Sequence, residues 1–253
     1  MPLLYVDLLG VKARYQTGGV PAARRAYTVL GKVVADGLKA LPQGRPVAGV
    51  VQSDAAALQF ERASDAVTVG RAIFQECFRR SSKERRVWIR GVVMKGSGPK
   101  ASLDKQTPLK GAPEGILERH FSTALLRAIN AEQSGFRGQR LLIEESLVTP
   151  QLVNSHGWEM LDGVLKPAHR LFYSSYPQHA EKFMDVLWPM ADDPSRWPGG
   201  YRRLMDRVRW ATLGGESESA HASATHLLFA EIDSIVHSLG GPSTARAPVP
   251  PTH

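Results

Sequence analysis

The chain has 253 residues, of which 43% are hydrophobic and 22% charged, and it carries a formal net charge of +8. That composition fits a soluble globular protein, and no apolar run reaches the roughly 18 residues a membrane span needs. The opening MPLLYVDLLG lacks a basic leader and carries an acid inside its apolar stretch, which argues against a signal peptide.

One cysteine, Cys77, excludes an internal disulfide and fits a reducing, cytoplasmic setting. It sits in AIFQECF, a helical-looking stretch in which a buried packing role is expected. The basic balance favours anionic partners such as nucleotides, nucleic acid or acidic surfaces, without choosing among them.

Residues 3–7 (LLYVD) predict a short buried strand ending in an acid, and Gly10 closes the segment. Residues 20–41 predict an amphipathic helix, with Ala23, Tyr27, Leu30, Val34, Leu38 and Leu41 at helical spacing. Pro21 near its start and Pro42–Gly44 after its end bracket it. VAGVVQ and AAALQF, joined by Ser53-Asp54, predict a β-hairpin. Residues 64–81 predict a second helix, RRVWIRGVVM a strand, and KGSGPKASLDKQTPLKGAPEG a long loop. Residues 120–132 predict a third helix; QRLLIEES and HRLFYSSY predict later strands.

The fold class expected from this order is α+β, a ferredoxin-like β-α-β-β-α-β core with additions. Residues 1–176 would form the catalytic domain. Residues 177–240 would form a helical extension, with AEKFMDVLW, YRRLMDRVRWATL and ATHLLFAEIDSIVHSL as its helices. Trp188, Trp197 and Trp210 would pack that extension or a dimer surface. Residues 241–253 would be a disordered tail.

Two acids stand out. Asp7 ends the first strand and Asp54 sits at the hairpin tip, and in a ferredoxin-like sheet those elements are neighbours. Both carboxylates then lie at one edge, where two metal ions about 4 Å apart could be bridged. Hard oxygen ligands suit Mg²⁺ or Mn²⁺, with a triphosphate completing the coordination. Residues 8–12 (LLGVK) would offer main-chain N–H groups to phosphates beside a helix start. Asp54 is also good turn chemistry by itself, whereas an acid inside YVDLLG is costly to bury without a partner.

At these residues the chain resembles the class III nucleotidyl cyclases. YVDLLG resembles the family's first-strand acid, QSDAAALQF its second acid, WIRGVVMKG its later strand, and FSTALLRAINAEQSGFRGQRLLIEES the helix and strand near its dimer interface. The resemblance spans roughly residues 3–173. It implies two Mn²⁺ or Mg²⁺ ions per site held by Asp7, Asp54 and the Leu8 carbonyl. It also implies nucleotide contacts from Leu9, Gly10, Val50, Arg90 and Lys166, and a transition-state contact from Arg127. Family members are dimers whose active sites form between two subunits, so a homodimer is implied.

Purine cyclases carry a base-reading Lys four residues before the second acid, where this chain has Val50. Their later helix pairs a base-reading Asp or Thr with an Asn and an Arg. Anchoring that pattern on Arg127 puts Thr123 and Ile116 at the other two places; anchoring it on Asn130 puts Thr123 and Ser134 there. Neither register keeps the full set, and a changed set of polar partners implies a changed base.

The chain therefore resembles the bacterial Pycsar pyrimidine cyclases. These turn UTP or CTP into a cyclic nucleotide that activates a separate effector protein in anti-phage defence; UTP is favoured here. Three other readings compete: a purine cyclase, a silent nucleotide-binding regulator, and a basic nucleic-acid-binding protein. The last would need paired aromatics on central strands, which Tyr5, Phe60 and Trp88 do not form.

Overall fold

The computed structural model describes residues 1–52, 54–80, 87–96, 123–133, 138–155, 167–171, 181–186, 188, 221, 223–225, 227–230 and 232. Strand β1 (Pro2–Leu9) leads into helix α1 (Val11–Leu38), then strands β2 (Ala48–Gln52) and β3 (Ala55–Gln59). Helix α2 (Ala63–Arg80) and strand β4 (Trp88–Lys95) follow, then helix α3 (Thr123–Gln133) and strand β5 (Leu141–Glu144). A short 3-10 turn, helix α4 (Pro150–Ser155) and strands β6 (Pro167–Leu171) and β7 (Glu181–Asp185) complete the order.

The strands form one sheet in the order β2-β3-β1-β4-β5-β7-β6. Its first four strands are mutually antiparallel, the arrangement of a ferredoxin-like core, with β1 central. β5 is added parallel to β4, which requires the crossover through α3. β7 and β6 extend the sheet antiparallel beyond β5.

Period-2 alternation along β1 divides the core in two. Leu4, Val6 and Leu8 face α1 and α2, with Leu30, Val33, Ile73 and Phe74 packed against them. Leu3 and Tyr5 belong to the opposite face, with Ala57, Val92, Leu142 and Phe183, and with Ala124 and Ala128 of α3. At Gly91 an added Cβ would meet the Tyr5 carbonyl oxygen at 2.8 Å, so a glycine there lets β4 and β1 close.

Two sequence expectations need correction. The first helix begins at Val11, nine residues before the predicted start, and breaks at Gly19 (φ 64°) ahead of Pro21. Pro21 reads as the bracket of a helix start, but with Gly19 it marks a kink between two helical halves. AEKFMDVLW, predicted as a helix of the extension, contains β7 instead. Its residues are buried on alternating sides, Phe183 in one core and Val186 in the other. A strand covered on both faces loses polar alternation and imitates a helical pattern.

Trp188 lies in the main core. Its ring meets Phe74, Phe78 and Phe229, and its Nε1 donates to the Gln139 carbonyl at 2.6 Å. Helical residues around 221–232 dock there through Leu228, Phe229 and Ile232. The stretches 201–213 and 241–253, and the loop lysines Lys100, Lys105 and Lys110, lie outside the described residues. Among the described residues no helix is long and apolar enough to cross a membrane.

Candidate active site at the end of the first strand

Register brings the predicted acids together. Asp7 pairs directly with Ala55 on one side and Arg90 on the other. Asp54 precedes Ala55 in the tight turn between β2 and β3, and its carbonyl accepts the Leu8 N–H at 2.7 Å. Directly paired residues project to the same face. Asp7, Arg90 and Tyr5, two residues back along β1, therefore share one face at one end of the sheet.

The electrostatics agree with that placement. Burial, and after it the Asp54 carboxylate, raise the Asp7 carboxyl from an ordinary 3.8 to about 7 against the opposing pull of the Arg90 guanidinium. Burial also pushes the Tyr5 phenol above its usual range, aided by Asp7 and Asp54 and opposed by Arg90. The Arg90 guanidinium is pulled down by burial, with Asp7 and Tyr5 holding it up. An arginine so shifted still carries its charge. The group is thus two carboxylates sharing one partly dry corner with one cation. A divalent cation would relieve the repulsion between the acids.

That donor set fits a hard divalent metal. It supplies two carboxylates with main-chain oxygens beside them, and leaves other positions for water or substrate oxygens. Among the described residues no group of three or more His, Cys, Asp or Glu side chains that could hold a metal forms, at this corner or elsewhere, so the two acids are its only such ligands there.

Beyond Asp7 the chain turns sharply into α1. Gly10 takes a left-handed conformation (φ 74°), and no side chain caps the first helical turn among the described residues. The main-chain N–H groups of that turn therefore point out of the helix start, three residues past the acid. Leu9 itself is buried, so its contribution is limited to the main chain.

The remaining predicted residues divide. Val50 pairs with Ala57, which pairs with Tyr5, so it lies on the same face, two strands across and two residues back from Asp7, about 12 Å away. Arg127 lies elsewhere: its Nη1 donates to the Lys95 carbonyl at 3.1 Å and its Nη2 to Glu144 at 3.2 Å. Lys95 pairs with Pro2, whereas Asp7 pairs with Arg90, five residues along β1. At about 3.3 Å per residue Arg127 is anchored roughly 17 Å from the acid pair of its own chain. Lys166, Ile116 and Ser134, and the side chains of Thr123 and Asn130, lie outside the described residues.

Two residues, Tyr5 beside the acids and Glu144 beside Arg127, are not among the site residues expected from the sequence. Tyr5 was legible through its i, i+2 spacing from Asp7. Glu144 ends an apolar strand with no signal beyond the acid itself.

No protein-family model matches the chain, and no curated protein matches it. Among solved structures, the crystal structure of the guanylyl cyclase Cya2 is similar over 73% of this chain and 89% of that one. The TM-score is 0.46 and the sequence identity 10%.

Proposed function

We propose that the chain is a metal-dependent nucleotidyl cyclase that acts on a pyrimidine triphosphate, UTP before CTP. The observation that carries this is the corner formed by Asp7, Asp54 and Arg90, where burial first, and then the charge of Asp54, raise Asp7 to about 7. Asp7, Asp54 and the Leu8 carbonyl would hold two Mn²⁺ or Mg²⁺ ions. When bound, these supply Lewis-acid activation of the ribose 3′-hydroxyl and neutralise the triphosphate.

The chain's own groups then bind and orient. The N–H groups after Gly10 receive phosphate oxygens, and Arg90 neutralises phosphate charge beside Asp7. The reaction forms a bond from the 3′ oxygen to the α-phosphorus, breaks the α–β anhydride, and releases pyrophosphate and a proton. Positioning and charge stabilisation supply most of the acceleration.

Val50 offers an apolar surface where a purine enzyme has a cationic hydrogen-bond donor, which supports a pyrimidine base. The 17 Å separation supports a homodimer in which Arg127 of one subunit serves the acid pair of the other. The product would be a second messenger for a separate effector in anti-phage defence, as in the pyrimidine cyclases that the sequence resembles, acting in the cytoplasm.

The test is incubation with each of ATP, GTP, CTP and UTP plus Mn²⁺, with products resolved by mass. Cyclic UMP or cyclic CMP, lost in Asp54→Ala, is the expected result. A cyclic purine would keep the cyclase reading and overturn the pyrimidine one, and no cyclic product from any of the four would overturn both.

A further inference from the structure

The Glu144 carboxylate ends β5 and is 9% exposed. Three donors converge on it. The Lys95 N–H reaches Oε2 at 2.9 Å, Arg127 Nη2 reaches the same oxygen at 3.2 Å, and the Ser146 hydroxyl reaches Oε1 at 2.6 Å. Both carboxylate oxygens are therefore fixed, and Arg127 is held from a second direction by the Lys95 carbonyl. The guanidinium of α3 is thereby set between the ends of β4 and β5.

A plain link between α3 and the sheet has no need of charge. A buried ion pair is usually no more stable than an apolar contact of the same volume. What a doubly anchored guanidinium gains is a fixed position, because its planar fork loses little freedom per bond. The Arg127 side chain is still 31% exposed.

We infer that Glu144 is the positioning residue for Arg127: it holds the guanidinium in the pose from which it meets the reacting phosphate across a subunit interface. This rests on the cyclase reading above. Ser146 supports it by fixing the far oxygen of the carboxylate. The contribution belongs to the transition state, since Arg127 answers charge that develops as pyrophosphate leaves.

The test uses the full chain with Mn²⁺ and whichever triphosphate it turns over. Glu144→Gln keeps the shape and one acceptor but removes the charge. Its kcat is expected to fall about 10- to 100-fold with KM nearly unchanged, the range typical of lost orienting partners. The double variant Glu144→Gln/Arg127→Ala should be no slower than Arg127→Ala alone, because the two act as one unit. A merely structural role would instead lower the melting temperature and give additive losses.

Wild-type kcat in Glu144→Gln, or additive losses in the double variant, overturns the inference. So does wild-type kcat in Arg127→Ala, while product formation would leave the cyclase reading standing. Should Glu144→Gln fail to fold, Ser146→Ala keeps the ion pair and frees one oxygen. A kcat several-fold lower at unchanged KM then supports the inference, and an unchanged kcat overturns it.

Discussion

Replacing Asp7 with Asn should stabilise the metal-free protein at alkaline pH. Burial, with Asp54 adding to it, raises the Asp7 carboxyl from 3.8 to about 7, a rise of roughly three units. At about 1.4 kcal/mol per unit this corresponds to about 4 kcal/mol. Below about pH 4 both the folded and unfolded chains hold the proton, and Asp7 has no pH-dependent effect. Between about pH 4 and pH 7 the unfolded chain ionises while the folded one keeps its proton, so stability falls as pH rises. Above pH 7 both are ionised and the deficit stays constant.

An asparagine keeps the size and removes the titration. The wild-type and Asp7→Asn proteins should therefore diverge steadily from pH 4 and reach their full difference near pH 8. For a domain of this size that is a melting-temperature gain of about 8–16 °C. Thermal unfolding in chelator across that pH range measures it. Adding Mn²⁺ at pH 8 should raise the wild-type melting temperature and leave Asp7→Asn nearly unchanged. Parallel pH curves for the two proteins would refute the reasoning, because the acid pair would then not be partly buried and repulsive.

Gly91→Ala should destabilise by about 1–3 kcal/mol in urea unfolding, since its new methyl meets the Tyr5 carbonyl at 2.8 Å. Trp188→Ala should cost about 3–5 kcal/mol, because it removes a fully buried ring packed on Phe74, Phe78 and Phe229; a change under 1 kcal/mol would count against that packing. The Cys77 thiol, pushed up to about 12 by burial and donating to the Val87 carbonyl at 3.2 Å, should react with thiol reagents only as fast as the protein unfolds.

The sequence made the ferredoxin-like core and the acid corner readable for a common reason. Both depend on local pattern: the apolar run closing on Asp7, the two-residue turn at Asp54, and the helix over 64–81. Arg90 could be placed on its strand but not beside Asp7, because the β1–β4 register is a long-range fact. The parallel addition of β5 and the reassignment of AEKFMDVLW to β7 depend on which neighbours bury each face, and composition does not encode that. Arg127 could be singled out as a candidate, but its anchorage could not. Glu144 becomes its partner only when β4, α3 and β5 are brought into contact.

The central place of β1 bears on how the protein is made. It leaves the ribosome before both of its partners, Ala55–Gln59 and Trp88–Lys95. At roughly 5–20 residues per second, about 5 to 20 s of synthesis separate it from its second partner. During that interval an apolar segment with two open hydrogen-bonding edges waits without its sheet, a template for pairing with any other extended chain. Nascent-chain aggregation should therefore depend on how fast the ribosome reaches β4. Slower codons between β1 and β4 would lower the soluble yield while leaving the folded protein's stability unchanged.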